Sequence, residues 1–433
     1  MHRYFDFAGN GTSYRQEIVA GLTTFLTMAY IIVVNPAILE AAGIPKGASM
    51  TATIISAAFG TLVMGVYAKR PFAIAPYMGE NAFIAFTVVK VMGFSWQIAL
   101  GAIFLAGVLF TVLTVLRIRG WLADAIPLNL KYSYAVGIGL FLTFIGLNEV
   151  GLVTLGVPGA PVSLGNISHT TVLLALFGFG LMAWLSVKRV HGALMIGIIT
   201  VTALSIAAGL TPLPQAIFGM PSALTPLFAQ LDIMGALSPK AWPVVLIVFV
   251  MAFVDTIGTL IGLSARAGFL DEKGNLPDIE RPMLADALSN LVAPLLGTTT
   301  TGAYIESAAG IEEGGKTGFT SVVVAILFLC SLFLAPILTI VPAHAYGPVL
   351  VIIGSFMIKP VAKLDFDDLT ELIPSFLTIT VISFTYNIGV GMTAGLLSYP
   401  LLKTVTGRGK EVPAALWVLA GLSLLFYISY PYH

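Results

Sequence analysis

The chain has 433 residues, 58% of them hydrophobic and 10% charged, with 21 basic and 21 acidic side chains and a mean hydropathy of +0.96. A soluble domain carries roughly a quarter charged residues, so composition excludes a water-soluble enzyme or binding module. Zero net charge without a basic tail gives no sign of a nucleic-acid partner, and a lone cysteine, Cys330, excludes an intramolecular disulfide or a cysteine-built metal site.

The first 17 residues are polar, and no short apolar region with a cleavage site follows them. The opening apolar run therefore reads as a retained span rather than a removed signal peptide. Apolar segments fall at 18–39, 48–68, 81–92, 95–116, 133–148, 170–187 and 192–209. After a polar connection, a second set falls at 241–264, 282–296, 304–314, 318–341, 346–358, 371–387 and 388–406. Runs of this length predict an all-α polytopic membrane protein of about fourteen transmembrane segments. A last apolar stretch, 415–430, predicts either a further span or an aromatic-rich helix lying at the interface.

Basic residues test this topology. With the N-terminus cytoplasmic (Arg3, Arg15), the groups Lys69/Arg70, Arg117/Arg119/Lys131, Lys188/Arg189, Arg266/Lys273/Arg281, Lys316, Lys359/Lys363 and Lys403/Arg408/Lys410 all fall inside. Lys46, Lys90 and Lys240 fall outside, a distribution that obeys the positive-inside rule. Seven segments before the central connection and seven after it predict a second half inserted upside down, an arrangement common among secondary transporters. The first repeat is expected at 1–210, the second at 241–406, and a C-terminal interfacial or extra segment at 407–433.

The third and tenth segments are too short to span as ordinary helices. Each follows an extended stretch, PFAIAPYMG (71–79) and GTTTTGAY (297–304). Pro71, Pro76, Gly79, Gly297 and Gly302 argue against continuous helix there, and such backbone survives at membrane depth only where protein or a wet cavity satisfies it. Two half-helix N-termini are thus expected near Gly79–Asn81 and Tyr304–Glu306, with free N–H groups facing each other near the midplane.

Asp255 lies inside AWPVVLIVFVMAFVDTIGTLIGL (241–263), beside Thr256, Gly258 and Thr259, and Glu306 follows the second interruption. A carboxylate at that depth costs several kcal/mol unless relieved, so each is a candidate for substrate or ion handling. Glu80 and Glu306 either cap their own helix starts or serve that function. Asn35 and Asn81 are amides able to donate and accept; Asn35, which precedes Pro36, either binds solute or satisfies carbonyls freed by the kink. Phe25, Tyr30, Phe83 and Tyr304 are candidates for stacking on a flat solute. Asp286 and Asn290 are assigned to helix packing, and Asn148, Glu149, Tyr386 and Asn387 to solvated span ends. The five histidines (His2, His169, His191, His344, His433) are scattered, and phosphate-loop and nucleophile-elbow motifs are absent. The expectation is therefore a protein that is not an enzyme, uses no cofactor, and draws any uphill movement from an ion gradient.

Long ordered motifs carry a family resemblance: EIVAGLTTFLTMAYIIVVNPAIL (17–39), APYMGENAF (75–83), FVDTIGTLIGLSARAGFLDEKG (253–274), TTTTGAYIESAAGIEEGGKTGFTSVVVA (298–325) and DDLTELIPSFLT (367–378). The sequence resembles the AzgA-like branch of the nucleobase–cation symporters, the adenine and guanine/hypoxanthine permeases. This resemblance implies a 7+7 inverted repeat with a core domain (about 18–116 plus 241–341) and a gate domain (about 133–209 plus 346–406). It implies that Asp255 and Glu306 bind a purine, with Gly79 and Asn81 standing at the family's Gly-x-Asn. By the same resemblance the intervening residue is usually apolar in the family, and here it is Glu80.

The expected function is import of adenine, guanine or hypoxanthine across the plasma (inner) membrane by proton symport, with sodium the alternative ion. Asp255, Glu306, Gly79, Asn81, Asn35 and Tyr304 are the expected substrate contacts, and Glu306 or Glu80 the expected proton carrier. A homodimer through the gate is implied by the resemblance. The alternatives are a related symporter for uracil, xanthine or a small anion, and a channel.

Overall fold

Helix after helix in this protein is apolar on all sides, the pattern of chain that lies in lipid rather than on water. The structure, a computed structural model, describes residues 4–116, 126–157, 160–214, 216–270, 276–385 and 387–429. His2, Arg3, Arg117, Arg119, Lys273, Tyr386 and His433, named above, lie outside the described residues.

Among the described residues, nine helical stretches are long and apolar enough to cross a membrane: Tyr14–Ala41, Lys46–Val66, Trp96–Val115, Leu128–Glu149, Thr170–Val187, Trp242–Ser264, Gly318–Leu338, Ala343–Lys363 and Ile388–Val405. Shorter apolar helices run over Ala193–Ala207, Leu369–Thr385 and Ala414–Leu424. The protein is thus a mostly helical, multi-pass membrane protein. Phe384 and Val405 are each 86% exposed, which in water would be a liability and in a bilayer is ordinary lipid contact.

Packing divides the helices into two sets. In one, Lys46–Val66 packs against Gly318–Ser331 and Glu280–Leu296, and Trp96–Val115 packs against Glu280–Leu296 and Trp242–Ala267. Close approach is built in: a Cβ on Gly318 would sit 1.9 Å from the Gly65 carbonyl oxygen, and one on Gly65 would sit 2.5 Å from the Gly318 carbonyl oxygen. Small residues at such crossings are the usual means of helix contact in membranes. In the other set, Leu128–Glu149 packs against Ala343–Met357 and Leu369–Thr385, and Leu369–Thr385 against Ile388–Val405.

At the centre of the first set the chain is not helical. Strand Ile74–Pro76 pairs antiparallel with strand Thr301–Ala303, with Ile74 opposite Ala303 and Pro76 opposite Thr301. All six residues are buried. Each strand runs into a short helix, Met78–Ala82 and Ser307–Glu312, and the first continues as a nine-residue π-helix, Phe83–Val91.

Neighbours satisfy the backbone groups that the strands leave open, as they must without water. Tyr77 N–H donates to the Thr300 carbonyl (3.0 Å) and Tyr304 N–H to that of Ala73 (2.8 Å). The Thr61 hydroxyl both accepts from Ile74 N–H and donates to the Ile74 carbonyl. Asn290 Oδ1 accepts from Thr301 N–H (2.8 Å), and Ser307 Oγ accepts from Ala73 N–H (2.9 Å). Gly302 leaves room for Tyr77, whose phenol oxygen would lie 2.1 Å from a Cβ at that position.

Two features depart from the expected elements. The first apolar run breaks at Ala29–Tyr30, between helices Tyr14–Met28 and Ile31–Ala41. A hairpin of strands Val153–Val157 and Ala160–Leu164, absent from the sequence reading, follows helix Leu128–Glu149.

Substituting Gly302→Ala places a methyl group against Tyr77 and should lower the thermal midpoint of the detergent-purified protein, by an overpacking cost of about 1–3 kcal/mol. An unchanged midpoint contradicts the close approach of Tyr77 to this strand.

Candidate functional site

The strand pair sets the two half-helix starts side by side and turns residues 77–79 and 303–306 toward one cavity of about 360 Å³. Helix Trp242–Ala267 contributes Asp255 and Thr259 to the same cavity, and Tyr30, at the break between the first two helices, closes one side. The facing wall comes from the second packing set: Ile353, Phe356 and Met357, with Ser186, Val190 and residues 192–194 beside them. A volume of this size suits a small organic ligand.

Asp255 and Glu306 are the acids of this cavity, and both are half-buried. Lysine, arginine and histidine are missing from its described lining. The Tyr30 hydroxyl donates to Glu306 Oε1 in a short hydrogen bond, so one oxygen is fixed by protein and the other remains for a ligand. Tyr77 and Tyr304 present near-parallel rings, 6.4 Å between centroids and 11° between planes. The Tyr304 hydroxyl is tied to the Pro76 carbonyl (2.6 Å), which fixes that ring against the opposite strand.

Asn35 and Asn81 do not line the cavity. Both are buried behind it, where Asn81 Nδ2 donates to Asn35 Oδ1 (2.7 Å). Asn35 Nδ2 in turn donates to the hydroxyls of Thr53 (2.7 Å) and Thr298 (3.0 Å). These amides tie the first half-helix to helices Ile31–Ala41 and Lys46–Val66 and to the second extended stretch. Asn35 therefore spends its donors on side chains rather than on carbonyls freed at Pro36. Phe25 stacks edge-on with Phe328 and Phe83 is fully buried; neither lines the cavity.

Asp286, assigned to packing from sequence, accepts a short hydrogen bond from Thr256, whose hydroxyl lies 3.5 Å from that of Tyr77. Asn290 caps Thr301, as above. The sequence reading did not single out Tyr77, Thr27 or Thr259 as site residues. Tyr77 carried a usable signal, since it directly precedes Met78 and Gly79 at an interruption already recognised. The apolar wall of helix Ala343–Met357 carried none.

Two further cavities adjoin this one. One, of about 490 Å³, shares Glu306 and is rimmed by Arg189, His191, and Arg266, which pairs with Glu312. Another, of about 480 Å³, shares Asp255 and includes Lys131 and Lys363. Each acid thus faces the central cavity and a second one leading toward basic residues.

Chemically, this site offers carboxylate and hydroxyl acceptors and flat aromatic faces; at the second half-helix the N–H groups of Ser307, Ala308 and Ala309 are spent on the turn carbonyls of Tyr304, Ile305 and Glu306. It suits a neutral planar molecule rich in N–H donors and gives an anion no cationic partner. Asn35→Ala removes the acceptor for Asn81 and should cost about 1–3 kcal/mol. The expected readout is a lowered thermal midpoint, and a midpoint equal to that of the wild type refutes the structural tie.

Comparison with known proteins bears on this geometry. A model of the family described as "Permease family" matches residues 15–396. A permease of Methanocaldococcus jannaschii is 47% identical over 432 residues, spanning 100% of this chain and 98% of its own. Guanine/hypoxanthine permease PbuG of Bacillus subtilis is 39% identical, covering 99% of each chain. Adenine permease AdeP of Escherichia coli is 37% identical, covering 98% of this chain and 95% of its own. These relatives are permeases, not enzymes. Two solved structures share the fold: the transmembrane domain of the cyanobacterial bicarbonate transporter BicA (TM-score 0.63, 17% identity, 88% of this chain and 97% of that one) and SLC26A9 (TM-score 0.67, 11% identity, 90% of this chain and 65% of that one).

Proposed function

We propose that this chain, which belongs to the permease family, is a secondary transporter that imports a purine nucleobase across the plasma membrane by symport with protons. The observation that carries this reading is the meeting of Asp255 and Glu306 in one cavity whose described lining holds no basic side chain. A purine presents ring and exocyclic N–H donors along its edge. Asp255 and the free oxygen of Glu306 accept from those donors, while backbone N–H groups near Gly79 and Glu306 bind ring acceptors. The heterocycle lies against Tyr304 and Tyr77 on one side and the Phe356–Met357 wall on the other.

The missing cations weigh against the small-anion alternative, although the fold is shared with a bicarbonate transporter. Uracil and xanthine fit the same donor–acceptor logic and remain competitors in the assay below. A channel would pass solute without saturation.

In this proposal the two packing sets are the core and gate of a fourteen-segment, 7+7 inverted repeat, and substrate binds at their interface. Movement of the core against the gate gives alternating access. The vestibules rimmed by Arg189, Arg266, Lys131 and Lys363 lie on the side that the positive-inside rule assigns to the cytoplasm, so this conformation is inward-open. The coupled proton resides on Glu306 or Glu80, sodium being the alternative ion. A homodimer through the gate completes the proposal.

Uptake of labelled adenine, guanine, hypoxanthine and uracil into proteoliposomes, under imposed proton or sodium gradients, tests the function. Asp255→Ala and Glu306→Ala should each abolish saturable purine uptake while the protein stays in the membrane. Losing one hydrogen bond to a charged group costs about 1.5–3 kcal/mol, roughly a ten- to hundredfold loss of affinity. Undiminished uptake in both variants rejects the site.

A further inference from the structure

This chain holds another acid at the same depth whose surroundings differ from those of every acid used above. Glu80 is fully buried, on the short helix Met78–Ala82, one residue after the cavity-lining Gly79. Its own backbone N–H apart, neither carboxyl oxygen has a hydrogen-bond donor among the described residues. The polar group it meets is the carboxyl of Asp255, on helix Trp242–Ala267, which packs against helix Met78–Ala82. Around the two stand Asp286, Tyr77 and Tyr304, again acids or phenols rather than cations.

Glu17 is also fully buried, and it is a structural carboxylate with a complete set of donors. It accepts from the backbone N–H groups of Lys316, Thr317 and Thr320 and from the hydroxyls of Thr317 and Thr320, at 2.6–3.3 Å. Glu80 has no such set. Two ionised carboxylates contain no donor between them, so a contact between Asp255 and the fully buried Glu80 requires a proton on one of them.

We propose that Glu80 and Asp255 form a carboxylic acid–carboxylate pair sharing one proton, and that this is the proton carried with the substrate. The proposal rests on the purine-transport reading and names its ion carrier. Protonated Glu80 donates its O–H to one oxygen of Asp255, leaving the other oxygen turned to the cavity to accept from the base. Loss of the proton leaves two adjacent negative charges, which repel and spoil the acceptor geometry. Base and proton therefore bind together and leave together. Asp255 lines the central cavity and the one leading to Lys131 and Lys363, so it is the wet end of the pair through which the proton enters. Glu80, lining neither, is the dry end.

Glu80→Gln separates the possibilities, because an amide N–H donates permanently where the acid O–H donates only when protonated. The variant should retain equilibrium binding of labelled base and base–base exchange, with an affinity that no longer weakens as pH rises. Its proton-driven accumulation should fall to equilibration. Wild type, in weakly buffered detergent solution with a pH dye, should take up a proton as base binds. Full proton-driven accumulation by Glu80→Gln overturns the pair while leaving the transport reading intact. Wild type that binds no labelled purine at all overturns the transport reading itself. If Glu80→Gln does not fold, the wild-type measurement decides. Proton uptake on binding, with a changed carboxylic-acid carbonyl band in the infrared difference spectrum, supports the pair; binding with neither change overturns it.

Discussion

A backbone amide or carbonyl stranded in hydrocarbon costs several kcal/mol, so irregular chain at membrane depth must find partners inside the protein. Two interruptions, linked across 228 residues by the Tyr304 hydroxyl on the Pro76 carbonyl, satisfy this requirement largely through each other. Their strands exchange hydrogen bonds, and Thr61, Asn290 and Ser307 close the remaining gaps. The placement of the two half-helix starts follows from that pairing. It brings Gly79 and Glu306 to one cavity and holds Tyr304 by its hydroxyl against the opposite strand.

A second consequence is a division of labour among polar side chains. The buried amides and threonines behind the cavity (Asn35, Asn81, Thr53, Thr298) bond to one another and hold backbone segments together. The acids in front have fewer protein donors. Glu306 receives one from Tyr30, and Glu80, behind Gly79 and off the cavity lining, receives none among the described residues beyond its own backbone N–H. Acceptors kept short of donors in a dry site are costly unless a ligand or a proton supplies what is missing. That shortage, more than the presence of acids as such, distinguishes the site from the satisfied carboxylate of Glu17.

Much of this was legible in the sequence because membranes punish exceptions. Asp255 and Glu306 stood out against apolar runs, and Pro71, Pro76, Gly297 and Gly302 marked where helix must stop. That the two stretches pair was not legible, since three-residue strands carry no period-2 signal and nothing local names a distant partner. The break at Tyr30 is equally silent: Ala29, Tyr30 and Ile31 include neither proline nor glycine, and the partner of the Tyr30 hydroxyl, Glu306, is 276 residues away in sequence. Asn35 and Asn81 were placed among substrate contacts by residue type and by resemblance. Composition cannot tell an amide that faces a ligand from one that faces another amide.

The two walls of the cavity differ in a way that matters for movement. Among its described lining, the side carrying Tyr30, Tyr77, Asp255 and Glu306 is stitched by hydrogen bonds into a single body. The opposing residues Ile353, Phe356 and Met357 meet it through apolar surface. Dispersion contacts are weak individually and re-form after a shift, whereas buried hydrogen bonds lost without replacement leave unsatisfied groups. On the alternating-access proposal, displacement along the apolar wall is therefore the inexpensive direction, and the acid-bearing side travels without disturbing its geometry. A bound base then tips the balance in proportion to how differently it is held in the two positions, because a ligand shifts a conformational equilibrium only through that difference.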